Sequence, residues 1–312
     1  MRIAFFGTPP PAVPYLSALA SSDHEVVAVV TQPDRPAGRG RAPRPSVVKE
    51  RALELELPVL TPEDASDTEF IDALAATSPD LGVVVAYGEI LGRRLLELPP
   101  NGFVNIHYSL LPELRGAAPV YGALRQRFER TGVTVQYMAR KLDAGDILLQ
   151  RELDIAEDDN RGTLTDRLTE TGVPALMDAV GLIQAGTAPR VAQEHELATY
   201  VGRVETADCR IDWSEPAAEV RALVRACTPW PGAWCELDGA RVKVQYVSVV
   251  QNVLRQEGRP GRIVEIPSGG GPIVLTGRGS VQIRALQPAG KRAMTGEEFL
   301  RGARLRPGDV FE

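Results

Sequence analysis

The sequence predicts an α/β chain, with an open, doubly wound, mostly parallel sheet followed by a smaller, mostly β domain. Three observations carry this prediction. Strand-like and helix-like segments alternate through the first half of the chain. The strands there are continuous apolar runs, as expected of parallel strands covered by helices on both faces. After Arg190 the pattern changes to short strand candidates punctuated by glycine. A length of 312 residues suits two domains of roughly 150 residues each.

The elements follow in order. Arg2–Phe6 reads as a short apolar strand, separated by Gly7 and a proline cluster from a helix over Ala12–Ala20. Glu25–Thr31 is a second strand, Val47–Glu56 a helix, Pro58–Leu60 a short strand and Thr68–Ala76 a helix. Leu81–Ala86, Phe103–Ile106 and Val133–Met138 are further strands, and Ile147–Ile155 returns beside the last of them. A long helix over Gly162–Ala185 keeps Leu164, Leu168, Val173, Leu176 and Ile183 at roughly helical spacing. Gly186–Pro189 breaks the pattern, and the polar stretch 190–207 reads as a linker between domains 1–189 and 208–312. Beyond it lie a helix over Pro216–Cys227 and strands at Ala233–Leu237, Val242–Val250, Arg262–Ile266, Pro272–Leu275 and Val281–Leu286. Asp238-Gly239 marks a hairpin, so this domain is a barrel or a sandwich.

Composition excludes several classes. Hydrophobic residues make up 44% and charged residues 24%, which is neither disordered nor collagenous. No apolar run approaches the roughly 18 residues of a membrane helix. The N-terminal MRIAFFG runs straight into a strand with no signal-type apolar core behind it, and reads as an unprocessed start. Cys209, Cys227 and Cys235 lack CxxC spacing, so they read as buried thiols in a reducing, cytoplasmic setting. The net charge of −6 is uneven: residues 1–200 carry 19 basic and 28 acidic side chains, residues 201–312 carry 16 and 13. An anionic partner therefore suits the C-terminal part better than the core.

Ligands of an open α/β sheet bind beyond the carboxyl ends of its strands. Of the three histidines, His24 sits in a turn and His195 in the polar linker, both positions of solvated side chains. His107 differs: period 2 places it with Asn105 on one face at the end of a strand. The turn Leu142–Asp146 offers two carboxylates, Asp143 and Asp146, and spacing alone does not choose between them. Amide, imidazole and carboxylate form a coherent set in which the first two stabilise an oxyanion and the third orients the ring. Ser109 lacks a GxSxG elbow, Gly7-Thr8-Pro9 is not a GxGxxG loop, and no metal-ligand cluster has suitable spacing. The stretch Thr31–Ser46 carries Arg35, Arg39, Arg41 and Arg44 and is too poor in apolar residues to be core, so it reads as a solvated or phosphate-reading loop.

Together these segments resemble the tRNA-specific branch of the folate-dependent formyltransferase family. The motifs are TQPDRPAGRG at Thr31–Gly40, VVVAYG at Val83–Gly88, Asn105-Ile106-His107, Ser109–Pro112, RGAAP at Arg115–Pro119, LDAGD at Leu142–Asp146, RIDWS at Arg210–Ser214 and Pro229-Trp230-Pro231. The resemblance implies a Rossmann-like formyltransferase core with an OB-like C-terminal β-barrel. It implies formyl transfer from 10-formyltetrahydrofolate to the amino group of methionyl initiator tRNA, without metal, in a cytoplasmic monomer. Asn105, His107 and Asp143 match the family's catalytic trio. Ser109, Leu110, Leu111 and Pro112 match its folate segment, Val85, Ala86, Tyr87 and Gly88 the loop beside the pterin, and the four arginines its tRNA loop. The sequence departs from the family at Pro10-Pro11, at Glu113-Leu114 and at Arg41-Ala42, none of which touches the trio.

Two rival readings make different demands on the sequence. An enzyme formylating a small-molecule amine predicts the core without the arginine loop and the basic β domain, and both are present. An RNA-binding protein with a dead core predicts loss of Asn105, His107 or Asp143, and all three are retained.

Overall fold

The computed structural model describes residues 1–37, 42–250, 258–303 and 305–312. The first elements are β1 (Arg2–Gly7), α1 (Val13–Ala20) and β2 (Glu25–Val30), then the short strands β3 (Arg35–Ala37) and β4 (Ala42–Arg44). They are followed by α2 (Val47–Glu54), β5 (Val59–Leu60), α3 (Thr68–Ala76), β6 (Leu81–Val85), α4 (Arg93–Leu96) and β7 (Phe103–His107). Next come β8 (Arg115–Gly116), α5 (Pro119–Arg125), β9 (Arg130–Tyr137), β10 (Ile147–Asp154), α6 (Arg161–Gln184) and β11 (Tyr200–Val201). Local chemistry fixes the helix starts: Ser46 caps α2 by accepting from the Lys49 amide, and Asp67 caps α3 by accepting from that of Glu69.

One unit comprises Met1–Pro119, Arg130–Asp154 and Thr165–Val201. Its sheet has seven strands in the order β10-β9-β7-β6-β1-β2-β5. The pairs from β7 to β5 are parallel, whereas β9 runs antiparallel to both β7 and β10. The turn between β9 and β10 is too short for a crossover, so that edge has to be a hairpin. The apolar strands are buried as their composition demands, with Ile3, Phe5, Val29 and Val83 fully enclosed. Phe6 sits edge-on to Phe70, Tyr87 and Phe103 at centroid distances of 6.4, 5.4 and 5.3 Å. Gly82 is required here, because any Cβ would collide with the Phe103 ring.

The structure corrects the sequence-based expectation in several places. The stretch Thr31–Ser46 is not wholly a loop: β3 and β4 pair antiparallel, with Arg35 opposite Arg44. Arg39 and Arg41 lie outside the described residues. α4 and α5 were not foreseen, because four and seven residues are too few to display a helical period. Residues 200–201, within the polar stretch 190–207, form β11 and pair in parallel with β8.

The other unit comprises Val120–Glu129, Ile155–Leu164 and Gly202–Glu312. It contains α7 (Ala217–Cys227), β12 (Ala233–Leu237), β13 (Ala240–Val250), β14 (Ile263–Glu265), β15 (Ile273–Leu275), β16 (Ser280–Pro288), β17 (Met294–Thr295) and α8 (Gly296–Gly302). The antiparallel path is β12-β13-β16-β15-β14, with β17 added beside β16. The last residues join its two ends. Glu312 and Glu236 exchange backbone hydrogen bonds at 2.7 and 2.8 Å, while Phe311 donates to Gly261 and Ile263 donates to Asp309. α7 buries Ala217, Val220, Leu223, Val224 and Cys227, spaced as one helical stripe in this core. Cys209 and Cys227 are fully buried, with their Sγ atoms 2.9 Å apart.

Candidate active site

Strand β7 delivers Asn105 and His107 to one face at its carboxyl end, as period 2 requires. Val84 of β6 lies opposite Asn105, and Thr134 of β9 lies opposite His107. Asn105 is half-buried, and its side-chain amide makes no hydrogen bond among the described residues. His107 is 6% exposed, and Nε2 lies 2.9 Å from the Leu114 carbonyl oxygen. A carbonyl only accepts, so Nε2 carries the hydrogen and Nδ1 is the nitrogen left to face the site. Leu114 presents that carbonyl from a left-handed backbone, φ +56°, and its own amide donates to Thr199 Oγ1 at 2.8 Å.

Nδ1 of His107 stands 3.8 Å from Oδ1 of Asp143. That is beyond a hydrogen bond but well within charge interaction. Asp143 lies in the β9–β10 turn with φ +49°, a conformation that Asp tolerates better than most residues. Its carboxylate is held from two sides: Oδ1 accepts from Gln136 Nε2 at 3.0 Å and Oδ2 from the Gly116 amide at 2.8 Å. Gly145 permits the bend, because a Cβ there would collide with the Tyr137 carbonyl. Asp146, the other carboxylate of the turn, makes no ion pair with His107 among the described residues.

Val85–Gly88 starts at the last residue of β6, beside the end of β7. Val85 and Tyr87 turn inward, and Ala86 and Gly88 are exposed with φ +49° and +95°. Thr8 Oγ1 donates to the Tyr87 carbonyl at 3.1 Å, and burial pushes the Tyr87 phenol above its ordinary range. A Cβ at Gly88 would meet only open space. In Ser109–Pro112, Ser109 and Leu111 are buried. Ser109 Oγ donates to Glu113 at 2.6 Å, and the Leu111 amide donates to Thr134 Oγ1 at 3.1 Å. These two residues shape the loop, while Leu110 and Pro112 are its partly exposed members. Arg35 and Arg44 face solvent, and Arg35 reaches Glu63 at 3.5 Å.

Several residues of the site had no signal in the sequence. Arg115 is fully buried, Gln193 is 6% exposed and Gln136 is 2% exposed. His195 is solvent-exposed as its polar context suggests, yet its Nδ1 accepts from Arg115 at 2.9 Å. Arg115 lies in the RGAAP motif, but nothing in the sequence marks it as buried, and isolated glutamines carry no signal. Among the described residues no group of three or more His, Cys, Asp or Glu is placed to hold a metal ion, and no helix is long and apolar enough to cross a membrane.

Residues 1–180 match the family profile described as "Formyl transferase", and residues 203–304 match "Formyl transferase, C-terminal domain". The chain is 43% identical to the methionyl-tRNA formyltransferase of Moorella thermoacetica over 311 residues, covering 100% of this chain and 99% of that one. It is 41% identical to that of Bacillus subtilis over 310 residues, covering 99% and 97%. Among solved structures, HypX from Aquifex aeolicus in complex with tetrahydrofolic acid aligns at TM-score 0.64 and 18% identity, over 100% of this chain and 50% of that one. WlaRD, a sugar 3N-formyl transferase in the presence of dTDP and 5-N-formyl-THF, aligns at TM-score 0.66 and 17% identity, over 94% and 99%. At these identities the two structures establish a shared fold, and the chain spans about half of HypX.

Proposed function

Because this chain belongs to the methionyl-tRNA formyltransferase family, we propose that Asn105, His107 and Asp143 are the groups with which it moves a formyl group from 10-formyltetrahydrofolate to the amino group of methionyl initiator tRNA. The observation that carries the assignment is the pairing of an uncommitted Asn105 amide with a His107 ring held between the Leu114 carbonyl and Asp143. The exposed Ala86 and the open space beside Gly88 fit a flat folate head at the strand ends. When bound, the folate supplies the formyl carbon and the leaving N10 nitrogen.

The chain's own groups divide the remaining work. Asn105 donates from its amide to the formyl oxygen, where negative charge grows as the amine attacks. In its protonated form His107 keeps Nε2–H on Leu114 and turns Nδ1–H towards the same oxygen. Asp143 balances that imidazolium from 3.8 Å and fixes its orientation. None of the three makes a covalent bond to substrate: as the new C–N bond forms, the C–N10 bond breaks, the amine gives up a proton and N10 takes one up. The three groups act on charge that exists only on the way to product.

Arg35, Arg39, Arg41 and Arg44 are the side chains we assign to phosphates of the tRNA, with residues 208–312 as a second binding domain. The charge split supports this, since residues 201–312 carry 16 basic and 13 acidic side chains against 19 and 28 before them. The deciding experiment is transfer of radiolabelled formyl from 10-formyltetrahydrofolate to methionyl initiator tRNA, with elongator methionyl-tRNA and free methionine as controls. Label on the initiator alone supports the reading; label on free methionine, or none at all, contradicts it.

A further inference from the structure

We propose that Gln193 and Arg115 are positioning residues that hold the backbone of the Asp143 turn in its working conformation; the proposal rests on the catalytic reading of Asp143 given above. Gln193 lies fifty residues further along the chain, in a polar stretch with no recognisable pattern. Its side chain is nevertheless 6% exposed and fully committed. Oε1 accepts from two atoms of Arg115, Nε at 3.1 Å and Nη2 at 2.6 Å. Nε2 donates to the Asp143 carbonyl at 3.0 Å and to the Gly145 carbonyl at 2.7 Å.

The orientation of this amide is forced. Flipping it would set an NH2 against the guanidinium and an oxygen against two carbonyls, so both sides would lose their bonds. The two carbonyls it grips bracket the bend. One belongs to the residue whose φ is +49°, the other to the glycine that tolerates no side chain. A left-handed aspartate in a tight turn is costly unless its surroundings over-determine it. Gln193 is the side chain that grips that backbone, just as Gln136 and the Gly116 amide grip the carboxylate.

Arg115 explains why Gln193 cannot move. It is fully buried, and among the described residues its side chain bonds to Gln193, Tyr200 Oη at 3.2 Å and His195 Nδ1 at 2.9 Å, with no carboxylate beside it. A buried cation without an anion depends on its hydrogen bonds, which makes their loss expensive. Its neighbour Gly116 donates to the Asp143 carboxylate, so β8 reaches the aspartate both directly and through Gln193. The 190–201 stretch is thereby built into the catalytic turn.

The test uses the full-length protein and two substitutions. Gln193→Glu keeps acceptors for Arg115 but has no N–H for the two carbonyls; Gln193→Met removes both sets of bonds. Each should lower kcat at least tenfold while KM for either substrate moves less than threefold, because only the geometry of Asp143 is disturbed. Each should also cost little further when added to Asp143→Ala, since a residue acting through Asp143 has nothing left to position. Wild-type kcat in either folded variant, or a full further loss on the Asp143→Ala background, overturns the proposal. If one variant folds poorly, the other carries the measurement. Wild-type kcat in Asp143→Ala alone instead overturns the catalytic reading itself.

Discussion

His107 directs Nδ1 towards Oδ1 of Asp143 from 3.8 Å, close enough to share charge and far enough to leave the nitrogen free for a third atom. This spacing separates the trio from an ordinary buried ion pair. On the proposed reading, in which they act on developing charge, Asn105→Ala, His107→Ala and Asp143→Ala should each reduce kcat by at least about a hundredfold, with tRNA affinity nearly unchanged. Asp146→Ala, which removes a carboxylate not paired with the ring, should stay within a fewfold of wild type. Steady-state kinetics alongside a tRNA binding isotherm measures both; a larger loss at Asp146 than at Asp143 would reverse their roles.

Gly145→Ala is the sharpest backbone test. The added methyl group collides with the Tyr137 carbonyl, so the β9–β10 turn must shift and Asp143 with it. We expect a lower melting temperature and a loss of kcat approaching that of Asp143→Ala. An alanine variant with wild-type kcat would show that the turn adapts.

The strands, and Asn105 and His107 on β7, were legible in the sequence because period and apolar runs are local properties. Preferring Asp143 over Asp146 was not local; it rested on the family resemblance, and spacing alone offers no choice between them. Gln193 was invisible for the same reason in stronger form. Its role depends on two carbonyls about fifty residues away, which no composition or period encodes. The β3–β4 hairpin was missed because three-residue strands rich in proline and arginine carry no strand pattern.

Glu219 makes the C-terminal unit sensitive to acid. Its carboxylate accepts from Arg127 Nη1 at 2.9 Å and Arg125 Nη1 at 2.8 Å, and these contacts, Arg127 first, hold it below the usual carboxylate range. A depressed carboxyl group contributes stability above its unfolded range and loses it as pH falls through the folded value. Glu219→Gln should therefore cost about 1 kcal/mol near neutral pH, the scale of partly exposed pairs. The gap between variant and wild type should close as pH falls from 5 towards 3. Denaturant melts at three pH values follow this; a gap that widens in acid would contradict the assignment.

Arg35 and Arg44 face each other across β3 and β4, so the hairpin presents paired positive charge. Replacing both with alanine should lower kcat/KM on methionyl-tRNA and flatten its salt dependence, while calorimetric binding of a folate analogue stays unchanged. Unchanged salt dependence would return the hairpin to a solvated surface.

The three thiols should resist alkylation in the folded protein. Cys209, Cys227 and Cys235 are all fully buried, and burial pushes the Cys235 thiol up to about 12. Iodoacetamide at mild alkaline pH should label none of them by mass spectrometry until denaturant is added. Labelling of the native protein would reveal local opening of this core.

The residues that join the ends of the C-terminal sheet also cover its edges. A strand with unpaired amides and carbonyls is a template on which another chain can build. Here Asp309–Glu312 occupies that template on both flanks, against Glu236 on one side and Gly261 and Ile263 on the other. Four residues thus do for the sheet what a seal does for a seam. Their removal would uncover two rims at once, and the expected symptom is self-association in light scattering.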